Sequence, residues 1–370
     1  MKIYFKNFFA FRFFGALSVL LGHIELIKSM EGFPNLMQLP FYKNTNGHVG
    51  VMFFFVLSGF LITFILLNEL ETSGTINKLL FYLKRCLRIL PVYYLMVFIS
   101  VLILPSSINL IDKNAPVFVG NTLYYLLFLP NVAKSLHHYV VGLTHLWSIG
   151  VEEQFYILWP LLITFFRKKL FVFMIVTIVG FTLIPLFIDY LSFNTNIFDS
   201  NMELKNFLSA FFSGFKINAM AIGGFFALIL SNKIDLLQSF NSKFIELATL
   251  SIIVISWTGG FQFGVFSDEI YSMLFGLLIY ISANGNHSIL NLEQNFFLFL
   301  GKISYGIYVY HWVVILIVIK FAKSLDFQNL ILSNFLIYTV SFSFTILISY
   351  LSFKFLEKPL INLSHKFKPQ

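Results

Sequence analysis

Ten long apolar segments, separated by short polar stretches, make up most of this 370-residue chain. A helix needs about 20 consecutive, mostly apolar residues to cross the hydrocarbon core of a bilayer. A spanning segment must also satisfy its own backbone hydrogen bonds, and continuous apolar runs of this length favour helices. We therefore predict ten spanning helices, over residues 8–27, 49–68, 87–104, 147–166, 170–188, 208–230, 244–260, 265–282, 296–320 and 330–354.

The composition supports a chain embedded in lipid. Charged residues amount to 11% and hydrophobic residues to 58%, whereas soluble globular proteins average roughly 25% and roughly 45–50%. So few charges cannot cover a surface that faces water. We predict an all-α fold, a polytopic transmembrane helix bundle formed by one domain over residues 1–370. An eleventh apolar run, 119–130, is too short to cross and is expected to be re-entrant or interfacial.

The basic residues predict the orientation of the bundle. Most of the 25 Lys and Arg residues lie near the termini or in loops 69–86, 167–169 and 231–243, which the predicted topology places on one side. The acidic loop 189–207 falls on the other side. Because basic loops stay in the cytoplasm, we expect both termini to be cytoplasmic. The net charge of +8 thus reflects membrane orientation, and we expect no nucleic-acid partner.

Ionisable side chains within spanning segments cost free energy and usually mark function. Arg12 and His23 lie in the first predicted span, about three helical turns and about 16 Å apart on one face. One interpretation is an anchoring arginine with an interfacial histidine. The other is a cation that binds an anion near the inner face, with a titratable imidazole deeper along the same wall.

A pair of arginines opens the third predicted span. Arg85 and Arg88 are three residues apart, so they share a helix face. Anchoring at the cytoplasmic surface is one explanation for them. The alternative is a phosphate clamp, because the fork of the guanidinium group matches phosphate oxygens.

The start of the fourth predicted span combines Trp147, Ser148, Glu152, Glu153 and Tyr156. Acidic residues in the first turns of a helix interact favourably with its dipole, which explains one glutamate better than two. Two adjacent carboxylates are costly in lipid and favour a functional site. Ser148 and Glu152 are four residues apart and are therefore neighbours on the helix surface.

A polar stripe runs along the ninth predicted span. Ser304, Tyr308 and His311 recur at the spacing that places side chains on one helix face. Such a stripe either holds helices together by hydrogen bonds or lines a site. The sequence favours neither role over the other.

Standard cofactor motifs do not occur in the sequence. It has no P-loop, no glycine-rich dinucleotide turn and no Cys/His spacing typical of zinc. Its single cysteine, Cys86, has no partner for a disulfide within the chain. We therefore expect neither a metal ion nor a permanently bound cofactor.

Together these segments resemble the acyltransferase 3 family of membrane acyl-CoA-dependent acyltransferases. The matching blocks follow the family order and extend from residue 12 to residue 359. One block alone would be weak evidence, whereas several in order are specific. The blocks are Arg12 with His23, the segment 53–62, Arg85 and Arg88 with Pro91, Trp147-Ser148 with Glu152-Glu153 and Tyr156, the segment 303–308 followed by His311, and Glu357-Lys358-Pro359.

The resemblance implies a bundle that takes an acyl group, usually acetyl, from cytoplasmic acyl-CoA and passes it to a hydroxyl. It makes acetyl-CoA a co-substrate and a cell-surface or lipid-linked glycan, such as O-antigen, capsule or exopolysaccharide, the acceptor. It places the protein in the bacterial inner membrane, in contact with membrane lipid. Some members carry a fused extracytoplasmic esterase-like domain, which we do not expect here because the sequence ends at Gln370.

The family chemistry also implies roles for the candidate residues. Arg12, Arg85 and Arg88 are expected to bind acyl-CoA. His23 is expected to act as general base. The other catalytic candidates are Glu152 and Glu153, one of which would orient the imidazole or the acceptor, and Ser148. If transfer takes two steps, Ser148 or a tyrosine would carry the acetyl-enzyme intermediate, with His23 as its activator. Direct and two-step transfer both stay open. The expected site-lining residues are Trp147, Tyr156, Ser304, Tyr308 and His311.

A proton-coupled secondary transporter of a small molecule is the main alternative function. Intramembrane His, Arg and Glu residues also serve proton-coupled transport. Such a transporter predicts inverted repeats, which the sequence does not display. A non-catalytic membrane scaffold is a further alternative, but it leaves the cost of burying these charges unexplained.

Overall fold

The computed structural model describes residues 4–36, 46–104, 122–232, 234, 237, 240–285, 288–325, 330–364 and 366–367. In these ranges the chain is helical apart from short connections, and no β-strand occurs in them. The predicted all-α class is therefore confirmed. The helices are α1 Phe8–Met30, α2 Asn46–Ser73, α3 Lys78–Phe98, α4 Thr122–Leu126, α5 Pro130–Ser135, α6 Trp147–Phe165, α7 Leu170–Asn194, α8 Met202–Gly214, α9 Ile217–Ser231, α10 Lys243–Thr258, α11 Ser267–Asn284, α12 Asn295–Lys302, α13 Ser304–Ser324, α14 Leu330–Ser352 and α15 Lys358–Ser364.

Eight segments of the described chain are helices long and apolar enough to cross a membrane. The other two predicted spans are also helical. They are α6, whose apolar run is interrupted by Glu152, Glu153 and Gln154, and α10, which has only 16 residues. At 1.5 Å per residue, α10 is about 24 Å long and short for a bilayer.

Two predicted spans are not continuous helices. The segment 208–230 is divided at Phe215 and Lys216 into α8 and α9, and the segment 296–320 is divided at Ile303 into α12 and α13. The third span also begins earlier than predicted, at Lys78, where the Asn77 side chain caps the helix by accepting from the Leu80 amide at 3.0 Å. Arg85 and Arg88 consequently lie inside α3 rather than at its start.

The eleventh apolar run forms two short helices rather than a span. Residues 119–121 lie outside the described residues, and the rest belongs to α4 and the beginning of α5. Pro130 begins α5 instead of ending the run. Asn131 is buried and exchanges two hydrogen bonds with Gln154, at 2.8 and 3.1 Å, which fastens α5 against α6 inside the bundle.

Close backbone contacts fix the centre of the bundle. A Cβ atom on Gly59 of α2 would lie 1.9 Å from the carbonyl oxygen of Met220, and one on Gly223 of α9 would lie 2.0 Å from the carbonyl oxygen of Val56. Small residues at these points allow α2 and α9 to touch along their backbones. Helix α1 packs against α2, α12 and α13, so these helices frame the polar interior.

Candidate active site

The bundle encloses a cavity of about 510 Å³ between α1, α2, α3, α6, α12 and α13. It lies towards the helix ends that the charge distribution predicts to be cytoplasmic. Its walls are largely aromatic and aliphatic, contributed by phenylalanines and branched side chains of α1 and α2. Its cationic lining residues are Arg12, Arg85, Arg88 and Lys302.

The three arginines line one cavity without forming ion pairs among the described residues. Among the described residues, no carboxylate forms an ion pair with Arg12, Arg85 or Arg88. The Arg85 guanidinium instead lies over the rings of Phe81 and Tyr156, at 5.5 and 5.4 Å from the ring centroids. Three guanidinium groups that face one cavity and form no ion pair among the described residues are suited to bind an anion.

Only one of the two adjacent glutamates reaches this cavity. Glu152 lines it and accepts a hydrogen bond from the Ser58 hydroxyl at 2.8 Å. The Tyr156 hydroxyl lies 3.1 Å from the Ser58 oxygen and 3.4 Å from a Glu152 oxygen. Glu153 is buried on another face of α6, and one of its carboxylate oxygens has no hydrogen-bond partner among the described residues.

Ser148 and Tyr308 form a hydroxyl pair in the cavity wall. Their oxygens are 2.5 Å apart, and the Tyr308 hydroxyl donates to the backbone oxygen of His145 at 3.0 Å. Because the hydroxyl hydrogen of Tyr308 is used in that bond, the Ser148 hydroxyl donates to the Tyr308 oxygen. Ser304 also lines the cavity and donates to the carbonyl oxygen of Gly301 at 2.9 Å. The polar stripe predicted on α13 therefore faces the cavity at two of its three positions.

The third position of that stripe forms a histidine pair. Nδ1 of His23 on α1 is 2.7 Å from Nε2 of His311 on α13. Nδ1 of His311 is 2.6 Å from the carbonyl oxygen of Tyr308. A carbonyl oxygen only accepts, so Nδ1 of His311 carries its hydrogen and, in the neutral ring, Nε2 accepts one from His23. With both rings neutral, the lone pair at Nε2 of His23 is left available as a base.

Aromatic rings hold the histidine pair in place. The two imidazoles are nearly coplanar, with an interplanar angle of 6°, and the Trp312 ring meets His23 edge to face at 4.8 Å. The His145 ring stacks on Trp312 at 5.7 Å and donates through Nε2 to the carbonyl oxygen of Val309 at 3.0 Å. His311 is fully buried, whereas His23 is half-buried and therefore accessible to a substrate.

The candidate residues thus occupy two adjoining places. The histidine pair does not line the arginine cavity but is linked to it by Tyr308, whose hydroxyl lies in the cavity and whose carbonyl holds His311. Trp147 lies behind the wall, edge to face with the cavity residue Phe55 at 6.1 Å. Eight predicted residues line the cavity, namely Arg12, Arg85, Arg88, Ser148, Glu152, Tyr156, Ser304 and Tyr308, while Trp147, Glu153, His23 and His311 lie outside its lining.

Several residues near the cavity were not among the predicted site residues. Ser58 is the hydrogen-bond donor to Glu152, although its segment indicated only close helix packing. Tyr305 lines the cavity next to the predicted Ser304, and its hydroxyl donates to the carbonyl oxygen of Ile89 at 2.9 Å. His145 directly precedes the predicted block, and its position before Trp147 was the available signal.

The chain is similar to known acyltransferases over most of its length. A family model described as an acyltransferase domain, acyltransferase 3, matches residues 7–354. A protein named as a putative O-acetyltransferase in Staphylococcus aureus strain COL is 29% identical over 337 residues, covering 85% of this chain and 53% of its own. O-acetyltransferase OatA of Staphylococcus aureus strain NCTC 8325 is 27% identical over 332 residues, with the same two coverages.

The chain spans about half the length of these curated relatives. No solved structure shows a significant match to it. The family match, over residues 7–354, extends from the beginning of α1 to the end of α14. This match, together with the many apolar helices of the chain, confirms the prediction of an integral membrane protein. It also confirms the predicted enzyme class, an acyltransferase. The chain therefore belongs to the acyltransferase 3 family.

Proposed function

We propose that this chain is an O-acetyltransferase of the bacterial inner membrane, with both termini in the cytoplasm. It moves an acetyl group from cytoplasmic acetyl-CoA to a hydroxyl of a cell-surface or lipid-linked glycan. The observation that carries the proposal is the cavity with three unpaired arginines next to a histidine whose Nε2 is available as a base. The names of the relatives, which are O-acetyltransferases, support the type of acyl group and acceptor atom.

The arginine cavity is the proposed binding site for the donor. CoA carries several phosphate groups at one end and the thioester at the other, so it needs cations at the mouth and an apolar path beyond. Arg12, Arg85 and Arg88 supply the cations, because guanidinium forks bind phosphate oxygens in pairs. The phenylalanine-rich wall supplies the apolar path. A cavity of about 510 Å³ is typical in size for a site that takes a small molecule.

His23 is the proposed general base. Nε2 of His23 takes the proton from the attacking hydroxyl as its oxygen bonds to the thioester carbon. The carbon–sulfur bond then breaks, and the imidazolium returns the proton to the leaving thiolate, which gives free CoA and the acetyl ester. His311 accepts from Nδ1 of His23 at 2.7 Å throughout, so it fixes the tautomer and stabilises the positive ring.

The remaining candidates receive supporting roles in this proposal. Glu152 bonds to Ser58 rather than to a histidine, which favours orienting the acceptor over orienting the imidazole. The Ser148 hydroxyl bonds to Tyr308 and not to a histidine nitrogen, which favours direct transfer over an acetyl-serine intermediate. Glu153 has no place in the proposed step, because it lies outside the cavity lining.

Binding of acetyl-CoA to purified protein tests the donor site. Arg85→Ala or Arg88→Ala should weaken binding by about ten- to 150-fold, since a charged hydrogen bond contributes about 1.5–3 kcal/mol. Lysine at either position should restore binding only in part, because a point charge does not reproduce the fork. Arg167→Ala is the matched control, since Arg167 is exposed outside the cavity. Unchanged affinity in both cavity variants would contradict the assignment.

A further inference from the structure

Lys134 on α5 is a cation that the proposed transfer step does not use. Its side chain is half-buried, with Nζ only 3.7 Å from the ring centroid of Trp147. No carboxylate of the described residues forms an ion pair with it. Burial and the neighbouring Lys216 ammonium lower the pKa of Lys134 to about 8. The surroundings therefore make its positive charge costly, and among the described residues the Trp147 ring is the one group seen to offset it.

Two further basic side chains, Lys216 and His48, contact one carboxylate on the side predicted to face outwards. Lys216 pairs with Asp268 at 2.8 Å, and His48 contacts the other oxygen of Asp268 at 2.9 Å. One carboxylate is thus shared by two basic groups. We name Lys134, Lys216, His48 and Asp268 the outer basic cluster. His48 is 42% exposed, so the cluster is reachable from outside the bundle.

The outer basic cluster lies close to the proposed base but apart from the donor cavity. Lys134 lies over the ring of Trp147, two residues along the chain from His145. His145 stacks on Trp312, whose ring meets His23 edge to face. No member of the cluster lines the arginine cavity. Trp147 contacts both regions: its ring is T-shaped to the cavity residue Phe55, and Lys134 lies over its face. An anion held by Lys134 would therefore approach His23 by a route different from that of CoA.

We propose that the outer basic cluster binds an anionic group, a phosphate or a carboxylate, of the acceptor and so brings an acceptor hydroxyl to His23. This rests on the proposed function, because it assigns the acceptor for the same base. An anion neutralises the unpaired ammonium of Lys134, and desolvation by the surrounding helices strengthens that contact. The proposal therefore defines the class of acceptor: glycans that carry phosphate or carboxylate groups bind in preference to neutral glycans.

The test compares three oligosaccharide probes in calorimetric titrations of the purified protein in phosphatidylcholine nanodiscs. Saturating CoA occupies the arginine cavity throughout. The probes are tetragalacturonate, which carries carboxylates, a glycerol phosphate oligomer, which carries phosphates, and neutral maltotetraose. At least one anionic probe should bind about tenfold or more tightly than maltotetraose, and added salt should weaken it.

Variants show whether Lys134 causes the preference. Lys134→Met should bring the anionic probe to the affinity of maltotetraose, and Lys134→Arg should keep most of the preference. Lys205→Met removes a different lysine from the same predicted face and should bind like the wild type. Equal binding of all three probes by the wild type would overturn the proposal, as would a preference retained in Lys134→Met. Failure of the proposed function would appear separately: the wild type would release no CoA from acetyl-CoA when de-O-acetylated envelope glycan is supplied as the acceptor.

Discussion

The hydrogen bond between His23 and His311 gives a quantitative test of the proposed base. His311→Phe keeps a ring of similar shape in this fully buried position but removes the Nε2 acceptor. Nδ1–H of His23 then has no partner, and the imidazolium formed during transfer loses its stabilising acceptor. His23→Gln removes the base itself while keeping a hydrogen-bonding side chain.

The expected magnitudes follow from these two roles. Removal of a general base lowers the rate by about 10²–10⁴-fold, which is the expectation for His23→Gln. A hydrogen bond to a charged group contributes about 1.5–3 kcal/mol, so His311→Phe should lower the rate by about ten- to 150-fold. Because His311 acts only through His23, the double variant should be no slower than His23→Gln alone.

The assay is the release of free CoA thiol from acetyl-CoA by purified protein in the presence of de-O-acetylated envelope glycan as the acceptor, with acetyl-CoA affinity measured alongside. Both histidine variants should bind acetyl-CoA like the wild type, because neither residue lines the arginine cavity. His137→Gln, at an exposed position, is the control and should retain full activity. Additive losses in the double variant, or full activity of His311→Phe, would refute the proposed linkage between the two rings.

Two further predictions concern topology and packing. In a Cys86→Ser background, a cysteine that replaces Lys168 should react with a membrane-impermeant thiol reagent only from the cytoplasmic side. A cysteine that replaces Asp199 should react only from the outside. Labelling of both cysteines from one side would overturn the predicted orientation. Gly59→Ala should destabilise the protein by about 1–3 kcal/mol or more and lower its Tm, since the added Cβ would lie 1.9 Å from a carbonyl oxygen of α9. Gly180→Ala, with nothing within 4 Å of its Cβ, should leave Tm unchanged or higher, and equal Tm losses would contradict the packing argument.

Apolar run length was sufficient to predict the helical class because lipid leaves few alternatives for the backbone. It was not sufficient to predict the breaks at Phe215–Lys216 and Ile303. These depend on tertiary contacts, such as the pairing of Lys216 with Asp268 and the close approach of Gly301 to the backbone of Phe9. Hydropathy reports the environment of a segment and carries no information about such contacts.

The sequence pointed to eight of the residues that line the cavity, but not to the contacts that these residues make. Helical spacing placed Arg12 and His23 on one face of the first span. The free-energy cost of a charge inside the membrane pointed to Glu152 and Glu153. The partner of His23 lies 288 residues away on α13, and the partner of Glu152, Ser58, lies 94 residues away on α2. Such contacts arise only when the helices pack, so periodicity within one helix does not indicate them.

The fate of the acetyl group decides whether the protein acts as the proposed acetyltransferase. Proteoliposomes containing the protein receive acetyl-CoA radiolabelled in the acetyl group, together with envelope glycan from which O-esters have been removed by mild alkali. The wild type should transfer label to the glycan as an alkali-labile ester, with one free CoA thiol released for each ester formed, and His23→Gln should give no label above a protein-free blank. Label in the His23→Gln reaction equal to that of the wild type, or none from the wild type, would contradict the account.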